Sequence, residues 1–231
     1  VIFEHKQLTL DYDNLKTVNK FGKRHYLTPD GNAYPSITTC LSILTKKAIK
    51  EWRQRVGAEV ANKISTQAAR RGTKVHLMCE DYLNNELQID NFLPNEKEMF
   101  STIKPTMDEH INNIYAQEVA LYSDYLGVAG RVDCIAEWDG KISVIDFKTS
   151  KRLKQKEKIQ NYFQQASAYC VMFEERTEIP VNQIVILIAV DGEPTPQVFI
   201  EKRDNYIQDC IETISRYKEQ TYVEDSNSNS D

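Results

Sequence analysis

No apolar run in this chain approaches the roughly 20 residues that a membrane-spanning helix needs. The longest covers only Ile184 to Val190, and no charged-then-apolar signal segment opens the sequence, so a cytoplasmic protein is expected. Cysteine is sparse: Cys40, Cys79, Cys134, Cys170 and Cys210 make an odd count with no paired spacing suited to zinc or an iron–sulfur cluster. Reduced, mostly buried thiols are the expectation. Nor is positive charge in excess, since 29 Lys and Arg against 34 Asp and Glu leave a net charge of −5. That balance argues against indiscriminate polyanion binding and moves the question to local basic groups. Internal repeats are absent as well. What is present is 231 residues, 41% hydrophobic and 27% charged, enough for one domain with a sizeable core and a helical elaboration.

Residues 1–34 read as short strands or a hairpin packed on the main domain, because Leu8 and Leu10 alternate with polar neighbours and Pro29-Asp30-Gly31-Asn32 signals a turn. Residues 35–115 read as a helical region. Ile37, Leu41 and Leu44 form one stripe; Ile49, Trp52, Val56, Val60 and Ile64 form a second, which Gly72 interrupts. A helix from Thr73 to Leu83 follows, then a pair flanking Pro105 with Phe100, Ile103, Met107 and Ile111 inward. From Gln117 the period becomes two, predicting antiparallel strands at Gln117–Ser123, Gly127–Trp138 and Lys141–Thr149. A helix at Lys156–Glu175, a doubly buried strand at Ile184–Val190, a neighbour at Gln197–Glu201 and a helix at Asn205–Tyr217 complete a core spanning 116–222. Residues 223–231, acidic and rich in Ser and Asn, read as a disordered tail.

Asp139-Gly140, between two alternating runs, is the strongest short hairpin signal in the chain. It favours a two-residue turn with both residues at positive φ, and such a turn sets the register. With Trp138 facing Lys141, Ile135 falls opposite Val144, Asp133 opposite Asp146 and Arg131 opposite Lys148. Facing carboxylates destabilise a sheet; a divalent cation between them removes the conflict. If Asp124 to Gly127 form a four-residue loop, Ser123 faces Val128 and Glu118 falls opposite Asp133, unless a bulge shifts the pairing by one. Asp146 and Lys148, two apart, project from one face while Ile145 and Phe147 point into the core. Mg²⁺ or Mn²⁺ takes oxygen ligands and lowers the pKa of a bound water, which Lys148 would position. An isolated Asp-x-Lys triplet is more often a pair of ordinary surface charges. The opposed Asp133 is what favours a metal site.

An acidic residue on one strand, followed across a hairpin by Asp or Glu two residues before Lys, resembles the signature of the PD-(D/E)XK nuclease superfamily. Here those positions are Asp133 and Asp146-Phe147-Lys148. Three flanking segments resemble its RecB-type branch, which includes phage exonucleases and mitochondrial genome maintenance exonucleases, so that the likeness runs over residues 35–190. Arg71-Gly72-Thr73-Lys74-Val75-His76 is similar to the branch's Gly-then-His segment, in which the His joins the metal site. Thr73 as N-cap would put His76 in a first helical turn, where the dipole favours the neutral imidazole that a metal requires. The plain alternative is a structural histidine. Gln165-x-x-x-Tyr169, on one face with Tyr162, Ala166 and Phe173, resembles the branch's Gln-x-x-x-Tyr motif; a satisfied core amide is its plain alternative. Tyr34-Pro35-Ser36-Ile37-Thr38 resembles the opening of many phage-type members. Val132 replaces the superfamily's proline, and the cysteines of its iron–sulfur members are absent, so no cluster is expected.

The resemblance implies an α/β fold with a mixed sheet: a restriction-endonuclease-like core carrying an antiparallel three-strand meander, flanking helices and an N-terminal helical elaboration. It implies a Mg²⁺- or Mn²⁺-dependent deoxyribonuclease, an exonuclease acting on single strands or DNA ends in phage-type replication, recombination or repair. The location would be the host cytoplasm if phage-encoded, and a single-strand-binding protein is a candidate partner. Asp133 and Asp146 would be the principal metal ligands, with the Phe147 carbonyl, His76 and Glu118 completing the set. Lys148 would orient the nucleophile; Gln165 and Tyr169 would hold the scissile backbone or Lys148. Arg70, Arg71, Lys74, Lys151 and Arg152 are candidate DNA contacts, and Lys46, Lys47, Lys50, Arg53 and Arg55 form a second basic concentration. Charge runs are just as often a solvated face. The N-terminal helices would arch over a threaded single strand, with Tyr162 or Phe163 offering stacking surfaces. A catalytically silent nucleic-acid binder or scaffold, and a restriction-type endonuclease, are the alternatives on the same fold.

Overall fold

A computed structural model describes residues 1–20 and 22–228, with side chains described as far as Tyr222. Its centre is a five-stranded sheet in sequential order: β4 (Ile111–Ser123), β5 (Val128–Trp138), β6 (Lys141–Ser150), β7 (Gln183–Val190) and β8 (Gln197–Lys202). β6 and β7 run parallel and every other pair is antiparallel. The antiparallel meander β4–β5–β6 is thus the arrangement the alternating patterns predict, and the mixed sheet is the one the resemblance implies. β7 reads as an unbroken apolar run because helices cover both of its faces. On one face α3 (Ala58–Leu83) and α4 (Pro94–His110) pack through Val75, Met78, Phe100, Ile103 and Met107. On the other, α1 (Ile37–Leu41), α5 (Gln160–Thr177) and α6 (Ile207–Ser228) pack through Ile37, Phe163, Phe173, Cys210 and Ile214.

The N-terminal region is a separate three-stranded antiparallel sheet of β1 (Lys16–Lys20), β2 (Lys23–Leu27) and β3 (Ala33–Pro35). Tyr26 joins it to Ala120, Tyr122 and Ala129 of β4 and β5. The strands lie later than the Leu8–Leu10 alternation suggests. Leu8 and Leu10 rest half-buried on the α5-side core without a ladder partner, so their alternation reports packing rather than a strand.

Several helix boundaries differ from the sequence expectation. The break in the second stripe falls at Gly57, whose φ of 86° closes α2 (Ile43–Val56), and not at Gly72. Gly72 lies inside the unbroken α3, where a Cβ would meet Thr149 Oγ1 at an ordinary contact distance of 3.7 Å, so helix and strand pack normally there and neither space nor backbone conformation demands the glycine. Thr73 therefore caps nothing: its hydroxyl donates to the Ala69 carbonyl one turn back. Pro105 sits within a single α4 rather than between two helices, because Met99, Phe100, Ile103 and Met107 bury one face continuous across it. Ile111 belongs to β4, not to that face. α6 runs on to Ser228 through most of the segment read as a tail, and residues 229–231 of that segment lie outside the described residues. Among the described residues no helix is long and apolar enough to cross a membrane.

Candidate active site

The hairpin turn is the two-residue form its sequence demands. Asp139 and Gly140 take φ of 51° and 74°, and Trp138 pairs with Lys141. His110 braces it, stacked on Trp138 at 4.9 Å and hydrogen-bonded to Asp139 at 2.8 Å. The register then runs as the turn dictates through Ile135↔Val144 to Cys134↔Ile145, where the β5–β6 ladder ends. β6 continues beside β7 as far as Ser150↔Val190, while β5 continues beside β4 to Val128↔Ser123. The two strands diverge just before they reach the aspartates. Arg131 consequently does not face Lys148, as the register alone would have it: Arg131 pairs with Ala120 and Lys148 with Ile188.

Asp133 fills the mouth of this fork. Its Oδ2 accepts the Phe147 amide at 2.9 Å, in place of a strand-to-strand bond. Amide and carbonyl of one strand residue face the same neighbour, so the Phe147 carbonyl is turned to the same side. Asp133 is also where β5 exchanges faces: Val132 and Ile135, three apart, both join the α5-side core, and Cys134 joins the opposite one. The aspartates thus do not project from a common face. Asp133 lies in the gap between strands, and Asp146 approaches from the α5 side.

Glu118 stands where the four-residue loop at 124–127 puts it, bracketed by Gln117↔Cys134 and Val119↔Val132. The ladder skips the Glu118–Asp133 step, and Glu118 holds φ of 50° in the middle of a strand, a conformation costing about 1–3 kcal/mol that persists only where the surroundings impose it. His76 on α3 points into the same space, its Nδ1 3.5 Å from Asp133 Oδ2. One donor atom from each of His76, Glu118 and Asp133 lies within 4.8 Å of the others. Ligands at about 2.1 Å from a hard cation stand at most about 4.2 Å apart, so the cluster needs little contraction to hold one. Burial, followed by the carboxylates of Asp133 and Glu80, pushes the Glu118 carboxyl up to about 7 against the pull of Arg131. Two carboxylates that repel one another, with an imidazole nitrogen beside them, fit a divalent cation.

Asp146 is turned elsewhere. It is 1% exposed, its Oδ2 is 2.6 Å from Lys148 Nζ, and its Oδ1 accepts from Gln165 Nε2 at 3.3 Å. Burial raises its carboxyl and Lys148 works against the rise. Burial alone would lower the Lys148 ammonium, but Asp146 and Asp133 outweigh it and hold it above its usual value. The ammonium also lies 5.2 Å from the centre of the Tyr162 ring.

Gln165 and Tyr169 are both buried on α5 and hydrogen-bonded to each other. Of the two, Gln165 reaches Asp146, and its bond is to that carboxylate rather than to Lys148. Phe163, offered by its sequence position as a stacking surface, is fully buried against Phe199 and Tyr206 and faces no open groove. Among the basic candidates, Arg70, Lys151 and Arg152 are exposed, while Arg71 and Lys74 are half-buried. The approach of Gly72 to Thr149 brings their two segments together at the end of β6. The second basic concentration lies on α2, which buries none of its residues; Lys46, Lys50 and Arg53 border a groove of about 840 Å³ between α2 and α6. Glu80 escaped the sequence reading. It sits one turn beyond His76 on α3, its carboxyl is raised by burial and by Asp81, and its four-residue spacing from His76 is the signal that would have found it.

The model of the PD-(D/E)XK nuclease superfamily matches residues 95–222, a span that includes Glu118, Asp133, Asp146, Lys148, Gln165 and Tyr169. Mitochondrial genome maintenance exonuclease 1 of Homo sapiens is 27% identical over 188 residues, covering 74% of this chain and 53% of that protein. The Xenopus tropicalis protein of the same name is 28% identical over 167 residues, covering 66% and 46%. The chain spans about half the length of the curated relatives it matches. A solved structure described as "Crystal structure of SSO0001" overlays with a TM-score of 0.35 at 14% identity, covering 73% of this chain and 70% of that one, too loosely to bear on the site.

Proposed function

The chain belongs to the PD-(D/E)XK nuclease superfamily, and from that premise we propose that it is a divalent-metal-dependent exonuclease that hydrolyses phosphodiester bonds in DNA, at single strands or ends. The observation that carries this reading is the fork between β5 and β6, into which His76, Glu118 and Asp133 converge beside the Asp146–Lys148 pair. His76, Glu118 and Asp133 would hold the cation, with Asp146 and the Phe147 carbonyl beside them. Mg²⁺ or Mn²⁺ fits this donor set, and when bound such an ion supplies Lewis-acid charge to a phosphate and lowers the pKa of water. Lys148 keeps its proton at Nζ, so it offers a hydrogen bond and a positive charge to the nucleophile or to a phosphoryl oxygen. Gln165, anchored by Tyr169, holds Asp146 Oδ1 and leaves Oδ2 to Lys148. Arg70, Arg71, Lys74, Lys151 and Arg152 would take flanking phosphates, with affinity that falls as salt rises. The names of the exonuclease relatives support the choice of reaction.

Asp146→Asn should abolish Mg²⁺- or Mn²⁺-dependent cleavage of end-labelled single- and double-stranded DNA while leaving DNA binding in place. Cleavage at the wild-type rate would remove the site from consideration. Covalently closed circular DNA should resist the wild-type protein. Its linearisation would favour a restriction-type endonuclease, and binding to every substrate without cleavage of any would leave a silent binder.

A further inference from the structure

Glu118 is the residue of the candidate cation site that takes a positive φ. At φ of 50° its carbonyl leaves the β4–β5 ladder, which closes again at Val119↔Val132. A backbone carbonyl released in this way needs another donor. Arg131 provides it: from its place opposite Ala120, its Nη1 donates to the Glu118 carbonyl, and its Nη2 lies 3.4 Å from Asn14 Oδ1. Asn14 is itself held, since the same oxygen accepts the amide of the buried Leu15 at 2.9 Å. The guanidinium therefore ties the Glu118 backbone to the N-terminal segment, using a two-pronged donor that lysine cannot reproduce.

We propose that Arg131 is a positioning residue that holds the Glu118 carbonyl, and so maintains the left-handed step in β4 that aims the Glu118 carboxylate at His76 and Asp133. The proposal rests on the reading that Glu118 belongs to a cation site. Without the tie, Glu118 relaxes toward extended backbone, its carboxylate swings away, and the cation binds more weakly. Arg131 touches neither the cation nor the reacting atoms in this scheme. Loss of its side chain is therefore made good by raising the metal concentration, whereas loss of a phosphate contact is not.

The test is Mn²⁺ binding to the DNA-free protein by titration calorimetry, beside the Mn²⁺ dependence of cleavage, for Arg131→Ala, Glu118→Gln and the double variant. Arg131→Ala should weaken Mn²⁺ binding five-fold or more and raise the half-saturating Mn²⁺ for cleavage to match, with kcat recovering at high Mn²⁺. In the Glu118→Gln background it should weaken binding no further. Arg131→Met, which keeps the apolar stem, serves the same comparison if the alanine variant folds poorly. Wild-type Mn²⁺ affinity in the Arg131 variants, while Glu118→Gln weakens it, would overturn the proposal. So would a raised KM for DNA at unchanged Mn²⁺ affinity, which would make Arg131 a phosphate contact. If Glu118→Gln itself binds Mn²⁺ as wild type does, the underlying reading of Glu118 fails instead.

Discussion

Gly130 tests how tightly the site is braced from beneath. It lies opposite Leu121 on β5, and space rather than backbone conformation keeps a side chain out, since its φ is not among the positive ones. A Cβ there would stand 2.7 Å from the Tyr169 hydroxyl, 2.9 Å from Tyr169 Cε1 and 3.1 Å from Ile37 Cγ2. Ordinary carbon contacts are about 3.5–4.0 Å, so the ring must retreat by roughly half an ångström to one ångström. Tyr169 is 2% exposed and Ile37 is fully buried, which leaves it nowhere easy to go. Overpacking of this kind costs about 1–3 kcal/mol, and Gly130→Ala should lower the equilibrium stability in urea by that amount. Because Tyr169 holds Gln165 and Gln165 holds Asp146, cleavage under folded conditions should fall as well. Tyr169→Phe removes the 2.7 Å contact but leaves the 2.9 Å one, so the double variant should lose less than the two single changes added together, by roughly 0.5 kcal/mol or more. An alanine variant as stable and as active as wild type, or strict additivity with Tyr169→Phe, would show that the ring is not pressed against β5.

Thr73→Ala should alter stability by no more than about 0.5 kcal/mol, because Thr73 lies within α3; a loss of about 1 kcal/mol or more in urea unfolding would mean that a helix starts there after all. Phe163→Ala should cost about 3–5 kcal/mol in the same assay through the cavity it leaves. Tyr162→Ala should be far milder for stability but should slow cleavage by freeing the Lys148 ammonium; equal stability losses would contradict the placement of the two rings. Burial pushes the thiols of Cys40 and Cys210 up to about 12 and raises those of Cys79, Cys134 and Cys170 as well. All five should therefore resist a thiol reagent in the native protein and react together on denaturation, and prompt native labelling of any one would refute its placement.

The β4–β5–β6 meander and the hairpin register were legible because each rests on local chemistry, an Asp-Gly turn and period-two alternation; the parallel pairing of β6 with β7 was not, since no local signal joins two strands separated by a helix. The end of the β5–β6 ladder was not legible, since there the Asp133 carboxylate takes the Phe147 amide in place of a strand-to-strand bond, a contact that alternation does not encode. That is why Asp133 opposite Asp146 reads correctly as a neighbourhood and Arg131 opposite Lys148 does not. Thr73 and Gly72 misled because a residue that suits a cap or a break is also tolerated inside a helix whose other face is buried, Thr73 by donating to the Ala69 carbonyl. Pro105 shows tertiary packing overriding propensity in the same way. The partners of Gln165 and the tie between Arg131 and Glu118 depend on distances across separate elements, which spacing along one chain does not encode.

The turn at Asp139 and Gly140 also sets a rule for which changes of length this protein can accept. Asp133 and Asp146 each lie six positions from it, a distance of about 20 Å along a strand. Between turn and fork the rungs are fixed one to one. Replacing a turn residue leaves that count intact and costs only local stability. Inserting one residue moves every later position of β6 by a step, so that either the buried face of β6 or its alignment with Asp133 must be given up. A bend at the far rim of the molecule thereby governs the chemistry at its centre, and families of this chain should show substitutions at the bend long before they show insertions.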